Sequence, residues 1–306
     1  MSYIFGPVPS RRLGLSLGVD LIPVKICSYD CLYCQVGRTT EKRIGIEPFA
    51  PLEDVLKELK ESLEKVTPDT ITLSGSGEPT LYTDIDRVIA GIKKLTDIRT
   101  AILTNGSLLW KEDIRNKVLG ANIIAPTLSS VFEETYRAIH RPHPDLKLAM
   151  IIEGLKQLRK IYKGQILLEI VLLAGFNDNE KELEGLKKAI VQISPDKIQL
   201  NTVVRPPVDS RAVSLDRQRL EDIQEFFGNK AEIIAYIPPG QRRQAFDSLV
   251  KTILDTARRR AMRALDVANA MDIPVEEVEG LVKGLMIKGE LCKEEHGGEI
   301  YYKTLV

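Results

Sequence analysis

The sequence predicts an α/β protein in which a partial (β/α)6 barrel is followed by a winged helix-turn-helix domain. Short β-branched apolar runs alternate with amphipathic helical stretches through most of the 306 residues, and this alternation is typical of βαβ units that form a parallel sheet. The alternation ends near Pro238-Pro239-Gly240, after which helices and one hairpin follow. We therefore predict one domain over residues 1–240 and a second over residues 241–306.

The barrel is predicted to contain six main strands, each followed by at least one helix. The predicted strands span residues 15–22, 70–74, 100–103, 122–128, 165–173 and 197–204. The predicted helices span residues 51–65, 84–95, 110–118, a stretch through Ala138, 146–162, 180–191 and 216–227, and a short strand at 232–236 closes the series. Six strands suit an open barrel, since a closed one has eight. The leader, residues 3–14, is rich in Pro and Gly and is predicted to be ordered without helix.

The C-terminal segment has a different order of elements. Helices are predicted near 245–260, 265–271 and 274–288, with a turn at Asp272-Ile273 and a hairpin over 291–304. Pro274 suits the first position of a helix, and Gly297-Gly298 suits a hairpin turn. Helix, short helix, helix and a two-stranded wing predict a winged helix-turn-helix.

Charge argues against a nucleic-acid role for this predicted winged helix. Residues 251–306 carry nine basic and ten acidic side chains, whereas phosphate contacts need a positive surface. The basic cluster of the segment is Arg258-Arg259-Arg260 with Arg263. The charge pattern favours a contact with a protein or peptide, or packing within the molecule, at least as much as it favours a contact with nucleic acid.

Composition indicates a globular protein in a reducing compartment. The 43 basic residues balance 43 acidic ones, so no overall field attracts nucleic acid or a membrane. No apolar run approaches the roughly 20 residues of a membrane span, and Met1-Ser2-Tyr3 does not begin a signal peptide. Four cysteines, three of them clustered, argue against a disulfide framework. We expect a cytoplasmic protein without membrane contact.

The most informative stretch is Cys27-Ser28-Tyr29-Asp30-Cys31-Leu32-Tyr33-Cys34, which holds three of the four cysteines. Grouped thiolates in a chain with few cysteines indicate a metal or an iron–sulfur cluster. A [4Fe–4S] cluster ordinarily takes four thiolates, and a structural zinc site takes four ligands. Three cysteines leave one position open, and an open position is typical of a site that does chemistry.

Four further polar or Gly-rich segments follow predicted strands in the same way as the cysteine stretch. They are Gly75-Ser76-Gly77-Glu78, Thr104-Asn105-Gly106, Ser129-Ser130 and Arg205-Pro206-Pro207. Parallel sheets bind ligands at the carboxyl ends of their strands. We therefore expect all five segments to meet at one rim, around the open metal position.

The Cys-x3-Cys-x2-Cys spacing after the first strand of a βα series resembles the signature of the radical S-adenosylmethionine superfamily. The resemblance covers about residues 15–240 and implies a TIM-like partial barrel. It implies that Cys27, Cys31 and Cys34 hold three irons of a single [4Fe–4S] cluster, while S-adenosylmethionine chelates the fourth iron. One electron would then cleave the sulfonium, leaving methionine and a 5′-deoxyadenosyl radical that abstracts hydrogen from substrate. A reductant such as ferredoxin or flavodoxin is the implied partner.

The same resemblance implies further cofactor-binding residues. Tyr33 is similar to the aromatic residue that packs beside adenine, and Gly75-Ser76-Gly77-Glu78 resembles the motif that receives the methionine ammonium. Glycines let the backbone approach a ligand closely, and a carboxylate suits a cation. Asn105 and Ser129 stand at the positions of ribose and carboxylate contacts. Residues 201–204 are expected to lie along the adenine. Asn105 and Ser129 are also compatible with roles in turns or helix caps. No catalytic side chain is assigned.

Residues 6–14 and 35–40 resemble a branch of the superfamily similar to the wybutosine-synthesis-like enzymes, which act on tRNA. Enzymes that insert sulfur or mature peptides often carry auxiliary clusters, and this sequence shows no second cysteine cluster. A tRNA, a protein side chain and a small metabolite all remain open as substrates. Arg11 and Arg12, near the predicted rim, are compatible with an anionic one.

Two other classes of protein are compatible with the cysteine cluster. A zinc-binding protein would complete the site with His140, His143 or His296, although Cys-x3-Cys is an unusual zinc spacing. An iron–sulfur regulator would sense oxygen with its cluster and bind an operator through the winged helix. It would not bind S-adenosylmethionine, which separates it from the enzyme.

Overall fold

The structure is a computed structural model that describes residues 2–235, 249–271 and 274–304. In chain order its strands are β1 Ile4–Ser10, β2 Gly14–Val19, β3 Ile26–Cys27, β4 Glu41–Lys42, β5 Thr70–Leu73, β6 Arg99–Thr104, β7 Ile123–Pro126, β8 Gln165–Leu172, β9 Lys197–Thr202, β10 Ala231–Ile233, β11 Leu291–His296 and β12 Glu299–Thr304. The helices are α1 Leu52–Leu63, α2 Ile85–Leu95, α3 Glu112–Val118, α4 Glu133–His140, α5 Leu148–Ile161, α6 Glu180–Ile193, α7 Arg217–Phe227, α8 Leu249–Arg259, α9 Ala264–Met271 and α10 Val275–Ile287. A 3₁₀ helix spans Pro79–Leu81.

Eight strands form one sheet in the order β1-β2-β5-β6-β7-β8-β9-β10. Strand β1 pairs antiparallel with β2, and every later pair of neighbours is parallel. Strands β5 and β7 are buried along their whole length, as expected for parallel strands covered on both faces. Arg11, just after edge strand β1, donates at 2.9 Å to the carbonyl of Ala235, just after the other edge strand β10. The sheet is therefore curved, and its two edges approach each other at the rim.

The predicted α/β fold with a mostly parallel sheet is confirmed. All six predicted main strands are present as β2 and β5 to β9, and the seven predicted barrel helices coincide with α1 to α7. The observed bounds differ from the predicted ones by a few residues at the ends, where helices fray and assignments vary. The predicted short strand at 232–236 overlaps β10, while Tyr236 lies outside the described residues.

Strand β1 is a difference from the prediction, which gave residues 3–14 only as an ordered leader. Pro7 and Pro9 lower the strand signal there, because proline cannot donate a hydrogen bond to a neighbouring strand. Proline is tolerated at the edge of a sheet, and β1 is an edge strand. Its register with β2 shifts between Phe5 and Val8, around Pro7, whereas Pro9 pairs in regular register with Leu15.

The helices that connect the parallel strands bury apolar stripes against the sheet. In α2 the buried residues are Ile85, Val88, Ile89 and Ile92. This spacing places them on one face of the helix, and burial of each such side chain stabilises the fold by about 1.5–3 kcal/mol. Among the residues that the structure describes, no helix combines the length and the apolar character that crossing a bilayer requires.

The elements α8, α9, α10 and the β11–β12 hairpin pack around a second apolar cluster. It includes Ile253, Met262, Val278, Val282 and Leu291. Helices α8 and α9 of this segment pack against edge strand β1 of the sheet. The Arg259 guanidinium lies 4.1 Å from the centre of the Phe5 ring. The hydroxyl of Tyr301 donates to the carbonyl of Val204 at 2.5 Å.

Part of the C-terminal prediction falls on residues outside the described ranges. These are the boundary at Pro238-Pro239-Gly240, the first residues of the predicted helix at 245–248 and the turn at Asp272-Ile273. The predicted helices and hairpin otherwise coincide with α8 to α10 and with β11 and β12. The winged-helix interpretation and the division into two domains remain predictions.

Candidate functional site

Cys27 ends β3, and Cys31 and Cys34 lie on the loop between β3 and β4. The backbone N–H of Thr40 donates to the carbonyl of Lys25 at 3.0 Å and closes the base of this loop. At its centre the N–H of Leu32 donates at 2.9 Å to the carbonyl of Ile139, in the last turn of α4. The cysteine loop, residues 25–42, is thus held by backbone hydrogen bonds that do not depend on a metal.

The cysteine thiols are close enough to influence one another. Burial, and next the nearby Glu78 carboxylate, raise the pKa of Cys27 to about 12. Burial, and next the proximity of Cys27 and Cys34, raise the pKa of Cys31 well above its ordinary value. Thiolates placed in this way need a bound cation to remain ionised.

Each of the three sulfur atoms has a side-chain nitrogen within hydrogen-bonding distance. The pairs are Lys25 Nζ with Cys34 Sγ at 3.3 Å, Asn105 Nδ2 with Cys27 Sγ at 3.6 Å and His140 Nδ1 with Cys31 Sγ at 3.4 Å. Such N–H groups orient metal ligands and tune their electron density. Lys25 is only 6% exposed and has a φ of 66°. This backbone conformation is uncommon for a residue other than glycine, so the surrounding structure fixes Lys25 beside the thiol.

The histidines available for a zinc site do not complete one. His140 touches Cys31. His143 pairs with Asp145, and His296 lies on hairpin strand β11. Within residues 2–235, 249–271 and 274–304, no three His, Cys, Asp or Glu side chains are grouped closely enough to bind one metal ion. Tetrahedral zinc, with Zn–S of about 2.3 Å, needs that grouping, whereas each thiolate of an iron–sulfur cluster binds a different iron. The three thiols therefore fit a cluster better.

Gly75 and Gly77 let the loop after β5 touch two neighbouring segments. Gly75 has a φ of +148°, and a Cβ atom there would lie 2.2 Å from the carboxyl carbon of Asp20. A Cβ atom on Gly77 would lie 2.0 Å from the carbonyl oxygen of Ile26. Between them, Ser76 donates to the Asp20 carboxylate from its backbone N–H at 3.0 Å and from its hydroxyl at 2.6 Å. Gly77 therefore allows close packing against the cysteine loop, and Gly75 against Asp20.

We expect Gly77→Ala to disturb the cysteine loop, because the added methyl group overlaps the carbonyl oxygen of Ile26. Overpacking of this kind costs about 1–3 kcal/mol. Urea unfolding should show a free energy of unfolding lowered by this amount, and reconstitution should yield less iron per chain. Gly45→Ala is the matched control, since no atom lies within 4 Å of its added methyl group. Equal behaviour of the two variants would contradict the prediction.

Glu78 is 2% exposed, and its carboxylate accepts four hydrogen bonds. The donors are Thr80 N at 3.1 Å, Thr80 Oγ1 at 2.6 Å, Thr104 Oγ1 at 2.6 Å and Asn105 N at 2.7 Å. Burial raises the pKa of Glu78, although these hydrogen bonds oppose the rise. The carboxylate thus joins the ends of β5 and β6. Its contact with the methionine ammonium remains a prediction.

An interior cavity of about 350 Å³ lies at the carboxyl ends of the strands. Of the predicted site residues, Tyr33, Cys34, Gly75, Gly77 and residues 201–203 line it. Its other walls come from the turn between β1 and β2, from β8 and β9, and from α8. Cavities of roughly 300–1,000 Å³ are typical of small-molecule sites.

Asn105 and Ser129 occupy different surroundings. Asn105 Nδ2 donates to Ser28 Oγ at 2.8 Å, so this side chain borders the cysteine loop. Ser129 is fully buried, and its hydroxyl accepts from the N–H of Val171 at 3.2 Å. The structure groups Asn105 with the cysteines and places Ser129 between the ends of β7 and β8.

The sequence prediction missed a buried polar network in the cavity. Glu169 of β8 accepts from Arg12 Nη1 at 3.0 Å and from Asn201 Nδ2 at 2.7 Å. Arg12 also donates to Gln199 Oε1 at 3.1 Å. Burial alone would raise the pKa of Glu169, but Arg12 and the Asn201 hydrogen bond outweigh burial and lower it. A carboxylate within β8, whose other residues after Gln165 are all apolar, was the available signal.

Comparison with known proteins gives these features a family context. The family model of the Radical SAM superfamily matches residues 21–186. A UPF0026 protein of Methanocaldococcus jannaschii is 34% identical over 314 residues, which cover 99% of this chain and 96% of that protein. A protein named GTPase Obg, from Brachyspira hyodysenteriae, is 34% identical over 98% of this chain, which spans only 45% of that longer protein.

Solved structures share the fold at lower identity. TYW1 with a lysine-pyruvate adduct bound has a TM-score of 0.53 and 21% identity, and the alignment covers 69% of this chain and 72% of that chain. A radical SAM methyltransferase from Sphaerobacter thermophilus has a TM-score of 0.55 and 15% identity, with coverage of 71% and 65%. At these identities the likeness concerns the fold alone. Since the family model covers more than half of the chain and includes the cysteine loop, the chain belongs to the radical S-adenosylmethionine superfamily of enzymes.

Proposed function

We propose that this protein uses a single [4Fe–4S] cluster, held by Cys27, Cys31 and Cys34, to cleave S-adenosylmethionine and begin radical chemistry on a substrate. The observation that carries the proposal is the cysteine loop, where three half-buried thiols each have a nitrogen neighbour beside a cavity. When bound, the cluster supplies the electron that converts S-adenosylmethionine to methionine and a 5′-deoxyadenosyl radical. The fourth cysteine, Cys292, lies on β11, which leaves three thiolates for the loop.

The chain's own residues position and enclose these groups. Lys25 and Asn105 donate hydrogen bonds to the thiolates. Tyr33, Gly75 and Gly77 form the wall of the cavity against which the cofactor binds. Helix α8 covers the cavity mouth, and exclusion of water there protects a reactive radical.

Anaerobic reconstitution with iron and sulfide tests this proposal. We expect about four irons and four sulfides per chain, and formation of 5′-deoxyadenosine from S-adenosylmethionine after reduction with dithionite. Zinc without sulfide would favour a zinc-binding protein. A cluster that neither binds nor cleaves S-adenosylmethionine would favour the iron–sulfur regulator, which membership of an enzyme superfamily disfavours. Either result would overturn the proposal.

Lys25→Met is expected to lower the reduction potential of the reconstituted protein. The Lys25 ammonium donates to Cys34 Sγ and stabilises the reduced cluster, which is more negative than the oxidised one. Removal of the ammonium therefore makes reduction of the cluster harder. Loss of one charge-assisted hydrogen bond predicts a shift of up to about 65–130 mV for a one-electron couple. A redox titration followed by electron paramagnetic resonance measures the shift without requiring turnover.

Lys42→Met is the matched control for Lys25→Met. Lys42 also belongs to the cysteine loop, but its ammonium donates to the carbonyl of Arg141 at 3.1 Å. Removal of this charge should move the potential much less. A shift of the same size in both variants would show that general charge, rather than the contact with Cys34, sets the potential.

We also propose that residues 241–306 form a winged helix-turn-helix domain on a barrel of residues 1–240. The order α8, α9, α10 and hairpin supports this, as does the separate apolar cluster of the segment. The near balance of its charges favours packing on the barrel or contact with a protein over contact with nucleic acid. A ferredoxin or flavodoxin in the cytoplasm is the proposed electron donor.

A further inference from the structure

Five arginines from distant parts of the chain line the interior cavity. They are Arg11 and Arg12 after β1, Arg205 after β9, Arg259 at the end of α8, and Arg260 after it. Like charges repel, most strongly where water is scarce. A cluster of this kind is therefore stable only if anions neutralise it.

Three of the five arginines have carboxylate partners. The pairs are Arg12 with Glu169 at 3.0 Å, Arg259 with Asp20 at 3.7 Å and Arg205 with Asp266 at 3.7 Å. Asp266 is also held by Arg263, at 2.6 Å, so it neutralises Arg205 only in part. The carboxylates around the cavity are already engaged before any ligand binds.

Arg11 and Arg260 have no carboxylate partner among the described residues. Arg11 donates to two neutral acceptors, Asn201 Oδ1 at 3.2 Å and the carbonyl of Ala235 at 2.9 Å. The Arg260 guanidinium makes no hydrogen bond or ion pair in the part of the chain that the structure describes. It lines both the interior cavity and an outer groove, which residues 34–37, 206–208 and 257–261 form with the hairpin. An unpartnered cation thus stands where the two spaces meet.

The pKa shifts of Arg260 and Arg11 are in the direction expected for an excess of positive charge around the cavity. The charge of Arg205, and next burial, lower the pKa of Arg260 well below its ordinary value. Burial, and next Arg205, lower the pKa of Arg11 to about 9. S-adenosylmethionine carries an ammonium and a sulfonium against one carboxylate, so its binding adds positive charge to the cavity. The anion must come from another molecule.

We propose that the substrate carries a phosphoryl group, which Arg260 and Arg11 bind where the interior cavity meets the outer groove. This inference rests on the proposed function, because the arginines and the cysteine loop share one cavity. A phosphate monoester carries a charge of about −1.5 to −2 at pH 7. It therefore balances two guanidinium groups, whereas a carboxylate balances one. The planar guanidinium also matches phosphate oxygens in a two-pronged contact.

A small phosphorylated molecule fits this position better than a nucleic acid does. The arginines line a cavity of about 350 Å³ rather than an open surface. A nucleic-acid backbone needs an extended positive surface, and residues 251–306 carry nine basic and ten acidic side chains. The site is therefore assigned to a phosphate monoester.

Calorimetry on the reconstituted protein tests the site, with inorganic phosphate as the probe and acetate as the carboxylate comparison. We expect phosphate to bind more tightly than acetate, and Arg260→Gln to weaken phosphate binding at least about tenfold. The matched control is Arg87→Gln, on α2, whose exposed guanidinium pairs with Asp84 and lines neither the interior cavity nor the outer groove. It should change the affinity by less than about twofold, as exposed pairs usually do. Arg11→Gln should weaken binding as Arg260→Gln does.

Four results would overturn the inference. Unchanged phosphate affinity in both Arg260→Gln and Arg11→Gln would exclude these contacts, and acetate binding as tight as phosphate binding would exclude the phosphoryl assignment. Displacement of phosphate by S-adenosylmethionine would assign the arginines to the cofactor carboxylate. An RNA oligonucleotide that binds more tightly than phosphate, and loses affinity equally in Arg258→Gln and Arg260→Gln, would assign them to nucleic acid.

The same preparations separate this inference from the proposed function. Formation of 5′-deoxyadenosine is measured beside phosphate binding, with circular dichroism to confirm that each variant is folded. Absent phosphate binding together with 5′-deoxyadenosine formation overturns the phosphoryl site alone. Phosphate binding that depends on Arg260, without any 5′-deoxyadenosine, overturns the radical function and leaves an anion site.

Discussion

Cys31→Ala is expected to abolish cluster assembly and the formation of 5′-deoxyadenosine. Only three thiolates are available on the cysteine loop, so the variant keeps two, and two thiolates do not hold a cubane cluster. Reconstituted protein should fall from about four irons per chain to less than about one, with loss of the visible absorption of the cluster. The backbone hydrogen bonds of the loop do not involve the Cys31 side chain, so circular dichroism should show a folded protein.

Cys292→Ala is the matched control for Cys31→Ala. Cys292 is half-buried on β11 and pairs across the hairpin with Lys303, so its loss should leave iron and sulfide unchanged. Full iron content in Cys31→Ala would place the cluster ligands elsewhere. Loss of iron in Cys292→Ala would instead make this cysteine a fourth ligand.

Glu169→Gln is expected to lower the free energy of unfolding by about 3 kcal/mol. The change leaves Arg12 without its anion in a largely buried position, since the two side chains are only 10% and 12% exposed. Removal of one partner from a buried ion pair is strongly destabilising for this reason. Urea unfolding at neutral pH measures the loss. An effect below about 1 kcal/mol, typical of exposed pairs, would show that cavity water screens the pair.

The effect of Glu169→Gln should depend on pH in a defined direction. The pKa of Glu169 is lower in the folded protein than usual, so its stabilising effect is complete above the unfolded value of about 4.3. It is lost as the pH falls through the lower folded value. The difference between the parent protein and the variant should therefore be constant from about pH 8 to 5 and shrink below about pH 4. Glu221→Gln is the control, because its partner Arg217 is exposed.

Much of the fold could be predicted because its signals are local. Strands such as β5 and β8 consist of short β-branched or apolar runs, and each is followed by a helix with a clear apolar stripe. The cysteine spacing is also a local pattern within eight residues. Strand β1 was missed because its prolines remove the local signal, and only pairing with β2 at the sheet edge makes it a strand.

The candidate site was harder to predict because side-chain direction is not a local property. Glu78 and Ser129 follow strands, as predicted, yet their side chains bond to neighbouring strand ends within the protein. The hydrogen-bond partners of Glu169 are Arg12 and Asn201, which lie far from it in the sequence. Arg260 reaches the cavity only because α8 packs on β1. These contacts require the tertiary arrangement.

The packing of α8 on the cavity mouth bears on how this enzyme can diversify. The cysteines proposed to hold the cluster lie near the start of the chain, as does Arg11, whereas Arg259 and Arg260 lie near its end. Recombination within the gene can therefore exchange the end, which supplies one half of the proposed phosphoryl site, while the beginning with its cysteines and Arg11 stays intact. Function resides in sites placed on folds, and here one such site is divided between two heritable parts. On the proposed function, exchange of the last segment would alter substrate recognition without any change to the cysteine loop.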